Sequence, residues 1–212
     1  MGGPVRLDAG NHDGPGTGRC LMEHVSVLAG EPFRAWPRCT HPAVAALATQ
    51  VNDRCSPAGR ATLARRAEAL ARADSDDPAL TWRLVALGAE AVLALRPGDP
   101  VATRRLARAR RSRRVWGVLV PRRLARGLPR WAVVGCGLAA LDELVAALHA
   151  LLTVSGPPQS PERDIALVAL LDSVLDLVLD EVPDEDAAEP VPDTGTRRGI
   201  PAPRTGREEL CA

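Results

Sequence analysis

The sequence predicts an all-α fold, one compact domain of about six helices, and three observations carry that prediction. Hydrophobic residues make up 46% of the 212-residue chain but aromatics only 2%. The apolar mass is therefore Ala, Leu and Val, a composition that suits closely packed helices better than a β-sandwich. Apolar residues recur at i, i+3, i+4 and i+7 in segment after segment, and no stretch alternates as a strand. Pro- and Gly-bearing breaks separate those segments, several beginning with a capping residue followed by proline.

Taken in order, residues 1–17 are Gly- and Pro-rich around "NHDGPGTG" and read as a flexible loop. A first helix, about 19–29, carries the stripe Leu21, Met22, Val25, Leu28 and Ala29, and ends where Gly30 can take the left-handed conformation. A second starts at Pro42, with Val44, Leu47, Ala48 and Val51 on one face. "CSPAG" breaks it, and an Arg/Ala-rich third helix runs to about Ala73. Asp77 and Pro78 signal the start of a fourth, which buries Trp82, Val85, Ala86, Ala89, Val92 and Leu93. Residues 101–130 are Arg-rich, interrupted by Pro121, Gly127 and Pro129, and read as a connection. Two more helices follow: 132–153, striped with Leu141, Leu144, Val145, Leu148, Leu151 and Leu152, and one from Ser160–Pro161 to about Asp180. The domain thus spans 18–182, with motif-bearing residues in 18–55, C-terminal helices in 132–180 and a disordered tail at 183–212. No internal repeat is present.

Charge and cysteine usage narrow the class. Net charge is +1, so the molecule as a whole has no strong pull toward polyanions. The chain contains no Lys and no Tyr, and its Arg and Ala content reads as a G+C-rich coding bias. Five cysteines, an odd number, without a signal peptide point to reduced thiols and a cytoplasmic protein. The most apolar window, about 131–154, holds Asp142, Glu143 and His149, too costly in hydrocarbon for a membrane span.

Chemistry-bearing residues concentrate near the first helix. On a helix, Cys20 and Glu23 share a side, with His24 close by, and Cys39 and His41 arrive across a short loop. Cys, Glu and His are zinc ligand types, and a neutral His41 capping the second helix could join such a set. Yet C-x2-E with C-x-H matches no standard zinc spacing, and free cysteine is commonly a small buried hydrophobe. The competing readings are a metal site, a reactive thiol at Cys20, or a buried pair beside an exposed Glu and a capping His.

The stretch "GNHDGPGTGRCLMEHVSVLAGEPF…PRCTHPAVAALATQVND" resembles a family of small helical proteins common in actinobacteria, to which no activity is assigned. The family pattern falls on Asn11, His12, Pro15, Gly18, Cys20, Met22, Glu23, Gly30, Glu31, Cys39, Pro42, Asn52 and Asp53. The resemblance leaves out His24 and His41. It favours a polar cluster of Cys20, Glu23, Cys39 and His12, either a weak zinc site or a structural knot, with Asn52 and Asp53 as a second candidate site.

Between Asp99 and Asp142 there is no acidic residue, while arginine stands at 104, 105, 108, 110, 111, 113, 114, 122, 123, 126 and 130. Arg104, Arg105, Arg108, Arg111, Arg122 and Arg123 form the candidate basic face, which could neutralise nucleic-acid phosphates. Ten acids against one base between Glu162 and Glu189 offer the simplest counterweight, an acidic helix packed near the Arg block. No phosphate-binding Gly loop after a strand, G-x-S-x-G or HExxH occurs. The sequence therefore favours a non-enzymatic interaction or regulatory module with a protein partner. A metal- or thiol-dependent protein centred on Cys20, Glu23 and Cys39 is the alternative, and an Arg-mediated nucleic-acid binder the third reading. No membrane partner is expected.

Overall fold

Helix starts in this protein repeat one local device, a hydrogen-bond-accepting cap followed by proline. His41–Pro42, Ser56–Pro57, Asp99–Pro100 and Ser160–Pro161 each open a helix, and each cap's side chain accepts a backbone N–H of the first turn. Proline costs nothing there because its missing N–H has no intrahelical partner. The computed structural model describes residues 5–120 and 130–180, with 130–139 described by their helical backbone. The described residues contain no strand. The order is α1 (Leu21–Leu28), α2 (Pro42–Arg54), α3 (Pro57–Leu63), a 3-10 turn (Ala64–Arg66), α4 (Ala67–Leu70), α5 (Leu80–Leu95), α6 (Pro100–Leu119), α7 (Arg130–Val154) and α8 (Pro161–Leu179).

The all-α expectation holds, and most boundaries fall where caps and breakers put them. Gly30 takes φ +69°, and the Glu31 N–H donates to Ser26 O at 2.8 Å, closing α1 with a Schellman-type turn. Asp77 was expected to cap the fourth helix directly. Instead its Oδ1 accepts from Ala79 N–H at 2.9 Å, and α5 begins only at Leu80. The expected third helix is interrupted by the 3-10 turn at Ala64–Arg66.

Helix α5 forms the centre, buried at Leu80, Trp82, Leu84, Val85, Ala89 and Val92, and packed chiefly against α6 and α7. At the α5–α7 crossing a Cβ on Gly88 would stand 3.0 Å from that of Ala147, so the missing side chain sets how closely the helices approach. Helices α2, α3 and α8 close the opposite side of the core. Three stripe positions point outward instead: Leu28, Ala29 and Val145 are exposed.

Residues 101–130 depart most from expectation. Pro100–Leu119 is one 20-residue helix, because Ala and Arg are strong helix formers and the first breaker is Pro121. Arg122, Arg123 and the 183–212 tail lie outside the described residues. Of the expected acidic counterweight, residues 181–189 lie outside the described residues, and the part on α8 is placed differently. On α8, Asp172 makes a two-pronged pair with Arg66 at 2.7 Å, and Asp164 is turned toward Ser56. The Arg helix meets Glu90 and Glu143 of α5 and α7 instead.

Candidate functional site

Glu23 organises the N-terminal cluster. Cys20 is the N-cap of α1 rather than a residue within it, and Glu23 is the third helical residue. The two form a capping box: the Cys20 side chain accepts the Glu23 N–H, and Glu23 Oε2 accepts the Cys20 N–H at 2.7 Å. Glu23 Oε1 also accepts the His12 N–H at 2.8 Å, while Oε2 lies 2.8 Å from His12 Nδ1. The carboxylate is thus saturated with partners although Glu23 is only 1% exposed. Burial raises its pKa, but the hydrogen bonds from Cys20 and His12 outweigh it and hold the group below the usual carboxylate range.

The N-terminal loop is anchored along its length. Asp8 N–H donates to Arg19 O, Gly10 N–H to Asp53 Oδ1 at 2.8 Å, and Leu7 is buried. Fully buried Asn52 donates from Nδ2 to Asp8 O at 2.8 Å and accepts Leu21 N–H at 3.3 Å. It ties α2 to both the loop and the start of α1. Gly18, at φ +129°, passes so close that a Cβ would lie 2.7 Å from His12 Cδ2. The expectation of a flexible 1–17 loop gives way here to a pinned one over the described residues, and Asn52 and Asp53 belong to the same knot.

Cys39 stands apart from it. Its N–H, with that of Arg38, donates to the Glu31 carboxylate, and its Sγ lies 3.8 Å from Thr40 Oγ1. The structure therefore joins His12, Cys20 and Glu23 and leaves Cys39 in a second, Glu31-centred turn. Among the described residues no three His, Cys, Asp or Glu side chains are grouped to hold a metal ion. Burial pushes the Cys20 thiol up to about 11 and the Cys55 thiol to about 12, and it raises Cys39 as well. Such thiols hold little thiolate near neutrality. His41 caps α2 as expected, its Nδ1 accepting Ala43 N–H at 3.2 Å. His24 is buried, and burial, followed by the charge of Arg19, lowers its pKa.

No protein-family model, curated protein or solved structure matches this chain.

A second buried carboxylate knot escaped sequence reasoning. Asp164 accepts Ser56 N–H at 2.8 Å and Ser56 Oγ–H at 2.5 Å, and a Cβ on Gly59 would fall 2.5 Å from Asp164 Cγ. It fixes the start of α8 to the start of α3. Its only advance signals were the cap–Pro pairs at both helix starts.

The remaining candidate is α6. It fully buries only Ala102 and Ala109, with Trp116 partly packed on the core. At 100° per residue, Arg104, Arg108, Arg111 and Arg114 fall within an arc of roughly 120° on the opposite side. All four are exposed. Arg105 turns inward to Glu143 at 3.1 Å, and Arg108 reaches the same carboxylate at 2.6 Å with its side chain 63% exposed. Arg108 also lies over the Trp82 ring, 5.9 Å from its centroid. Arg110 pairs with Glu90 at 3.0 Å. Arg104, Arg111, Arg113 and Arg114 have no carboxylate partner among the described residues. Val115 and Val118 share the arc and are exposed, Val118 at 79%, as is neighbouring Leu119.

Proposed function

We propose that this protein is a non-enzymatic helical interaction module whose working surface is the outer face of α6. One observation carries the reading: a row of arginines on one face of a long helix, several of them without carboxylate partners among the described residues. Among the described residues the seven arginines of α6, at 104, 105, 108, 110, 111, 113 and 114, meet two glutamates, Glu90 and Glu143. Counted over the described residues, the local excess is therefore about five positive charges in a molecule whose net charge is only +1. An exposed cationic row of this kind raises the local concentration of polyanions and steers their approach. The rest of the fold supplies rigidity: α5 and α7 brace the helix from behind through Ala102, Ala109 and the Glu143 pairs.

The cluster around Glu23 supports a structural role on the same reading. Both oxygens of the carboxylate are committed to hydrogen bonds, and the nearby thiol is buried and disfavoured as a thiolate. The resemblance to the actinobacterial helical proteins fits this division, since its pattern residues Gly18, Cys20, Glu23, Asn52 and Asp53 are those that build the knot.

Retention on immobilised heparin tests the reading. The full chain is expected to elute well above physiological salt, and an Arg104→Ala, Arg111→Ala, Arg114→Ala variant of unchanged circular dichroism to elute near the void. Equal retention of the two proteins would remove α6 as the working surface.

A further inference from the structure

We infer that the α6 face docks on duplex DNA, running along its phosphates without reading base sequence. This inference rests on the proposed role of α6. The spacing is the first argument. Arg104, Arg108, Arg111 and Arg114 follow one another at three- and four-residue steps, so the row spans about 15 Å of a rigid rod about 30 Å long. B-form DNA presents regularly repeated phosphates on that scale, and its major groove, about 12 Å wide, admits an α-helix. The deep, narrow groove of duplex RNA does not.

The side chains are the second argument. Every cation on α6 is arginine. Its planar guanidinium binds phosphate through two parallel N–H bonds and is more weakly hydrated than a lysine ammonium. Arg104, Arg111 and Arg114 are exposed and can rotate to meet phosphates, while Arg108 is held between Glu143 and the Trp82 ring as a fixed point. No acidic residue lies on α6 beyond its cap, Asp99, whose Oδ1 is occupied by the Val101 and Ala102 N–H groups.

The helix's mounting argues against a lipid surface as the favoured partner. An interfacial helix buries its apolar face in the acyl boundary. The side of α6 holding Ala102, Ala109 and Trp116 is instead turned to α5 and the core. Outward apolar groups are confined to Val101 at one end and Val115, Val118 and Leu119 at the other. The absence of carboxamide or carboxylate side chains along the outer arc leaves little to read a base edge, hence the expected indifference to sequence.

The test is fluorescence anisotropy of a labelled 30-base-pair DNA duplex titrated with the full chain between 50 and 200 mM salt. Four phosphate contacts give a log–log salt slope of about −3.6, which is about a 150-fold loss of affinity across that range. Two duplexes of unrelated sequence should bind within about threefold of each other. Arg104→Ala, Arg111→Ala, Arg114→Ala should flatten the slope to about −1. No measurable DNA binding at 50 mM salt, or a slope that the arginine variant does not alter, overturns the inference. Phosphatidylglycerol vesicles bound in preference to the duplex, with binding lost in the Val118→Ser, Leu119→Ser variant, overturn it in favour of an anionic lipid surface. In those cases heparin retention that still depends on the arginines preserves the α6 reading; retention indifferent to them ends both.

Discussion

The N-terminal knot and the outer face of α6 are opposites in how they treat charge. Around Glu23 a single negative group is buried and answered from both sides, by the backbone of Cys20 and by the backbone and ring of His12. Along α6 a run of positive groups is exposed, with two glutamates for seven arginines among the described residues. A buried charge is tolerated only when its partners are complete, so the first region is built to stay as it is. Exposed cations cost little unpaired, and they remain available to a partner. The difference teaches that the residue types most suggestive of chemistry here, Cys, His and Glu, hold the chain together. The helix with the plainer composition carries the exposed charge.

The contrast can be broken at the knot first, where the largest effect is expected. Glu23→Ala leaves the N–H groups of His12 and Cys20 without acceptors in a buried setting. The cost is about 4 kcal/mol, or about 12 °C in Tm, read by thermal denaturation with far-ultraviolet circular dichroism. A loss below about 1 kcal/mol would mean that the knot contributes little. Gly18→Ala comes next, at about 2 kcal/mol. The new Cβ meets His12 Cδ2 at 2.7 Å from a backbone at φ +129°, so urea unfolding should show a lower midpoint with an unchanged slope.

The pH dependence of stability sharpens the same comparison. Glu23 has a folded-state pKa below its ordinary value, burial being outweighed by the Cys20 and His12 hydrogen bonds. Its stabilising contribution is therefore complete above the unfolded carboxylate pKa of about 4.3 and is lost as pH falls through the lower folded value. Glu31, held low chiefly by the Arg38 N–H, acts in the same direction. Melting temperature should decline gently below about pH 6.5, where unfolded His24 takes up a proton that the buried imidazole resists, and more steeply below about pH 4.3, with a shallower acid limb in Glu23→Gln. The smallest effect belongs to α6: replacing Arg104, Arg111 and Arg114 by alanine should move stability by less than about 0.5 kcal/mol, because all three are exposed and none has a carboxylate partner among the described residues.

Much of the fold was legible because its signals are local. Cap–Pro pairs at Pro42 and Pro161, the left-handed Gly30 and the stripe through Val44, Leu47, Ala48 and Val51 each act within one or two turns. The C-x-x-E of Cys20 and Glu23 was legible in principle, as a capping box with cysteine in the place serine or threonine usually takes. Read as a helix face it suggested metal ligands. Helix α6 was obscured by attention to Pro121 and Pro129, although the Ala and Arg before them favour a helix. The partners of its arginines were out of reach. Whether Arg105 and Arg108 meet Glu143 or the acids of α8 depends on how helices stack, and no periodicity within one segment carries that information. The Ser56–Asp164 pair, 108 residues apart in sequence, was hidden for the same reason.

The most direct test crosses the two regions in one experiment, measuring both melting temperature and affinity for the DNA duplex in Glu23→Gln and in Arg104→Glu, Arg111→Glu, Arg114→Glu. The expected result is a clean exchange: Glu23→Gln melts earlier, by about 2 kcal/mol, and binds as the parent does below its transition. The charge-reversed protein melts as the parent does and does not bind. A folded Glu23→Gln protein that has lost its affinity, beside a charge-reversed protein that keeps it, would place the working site at the knot and contradict the account.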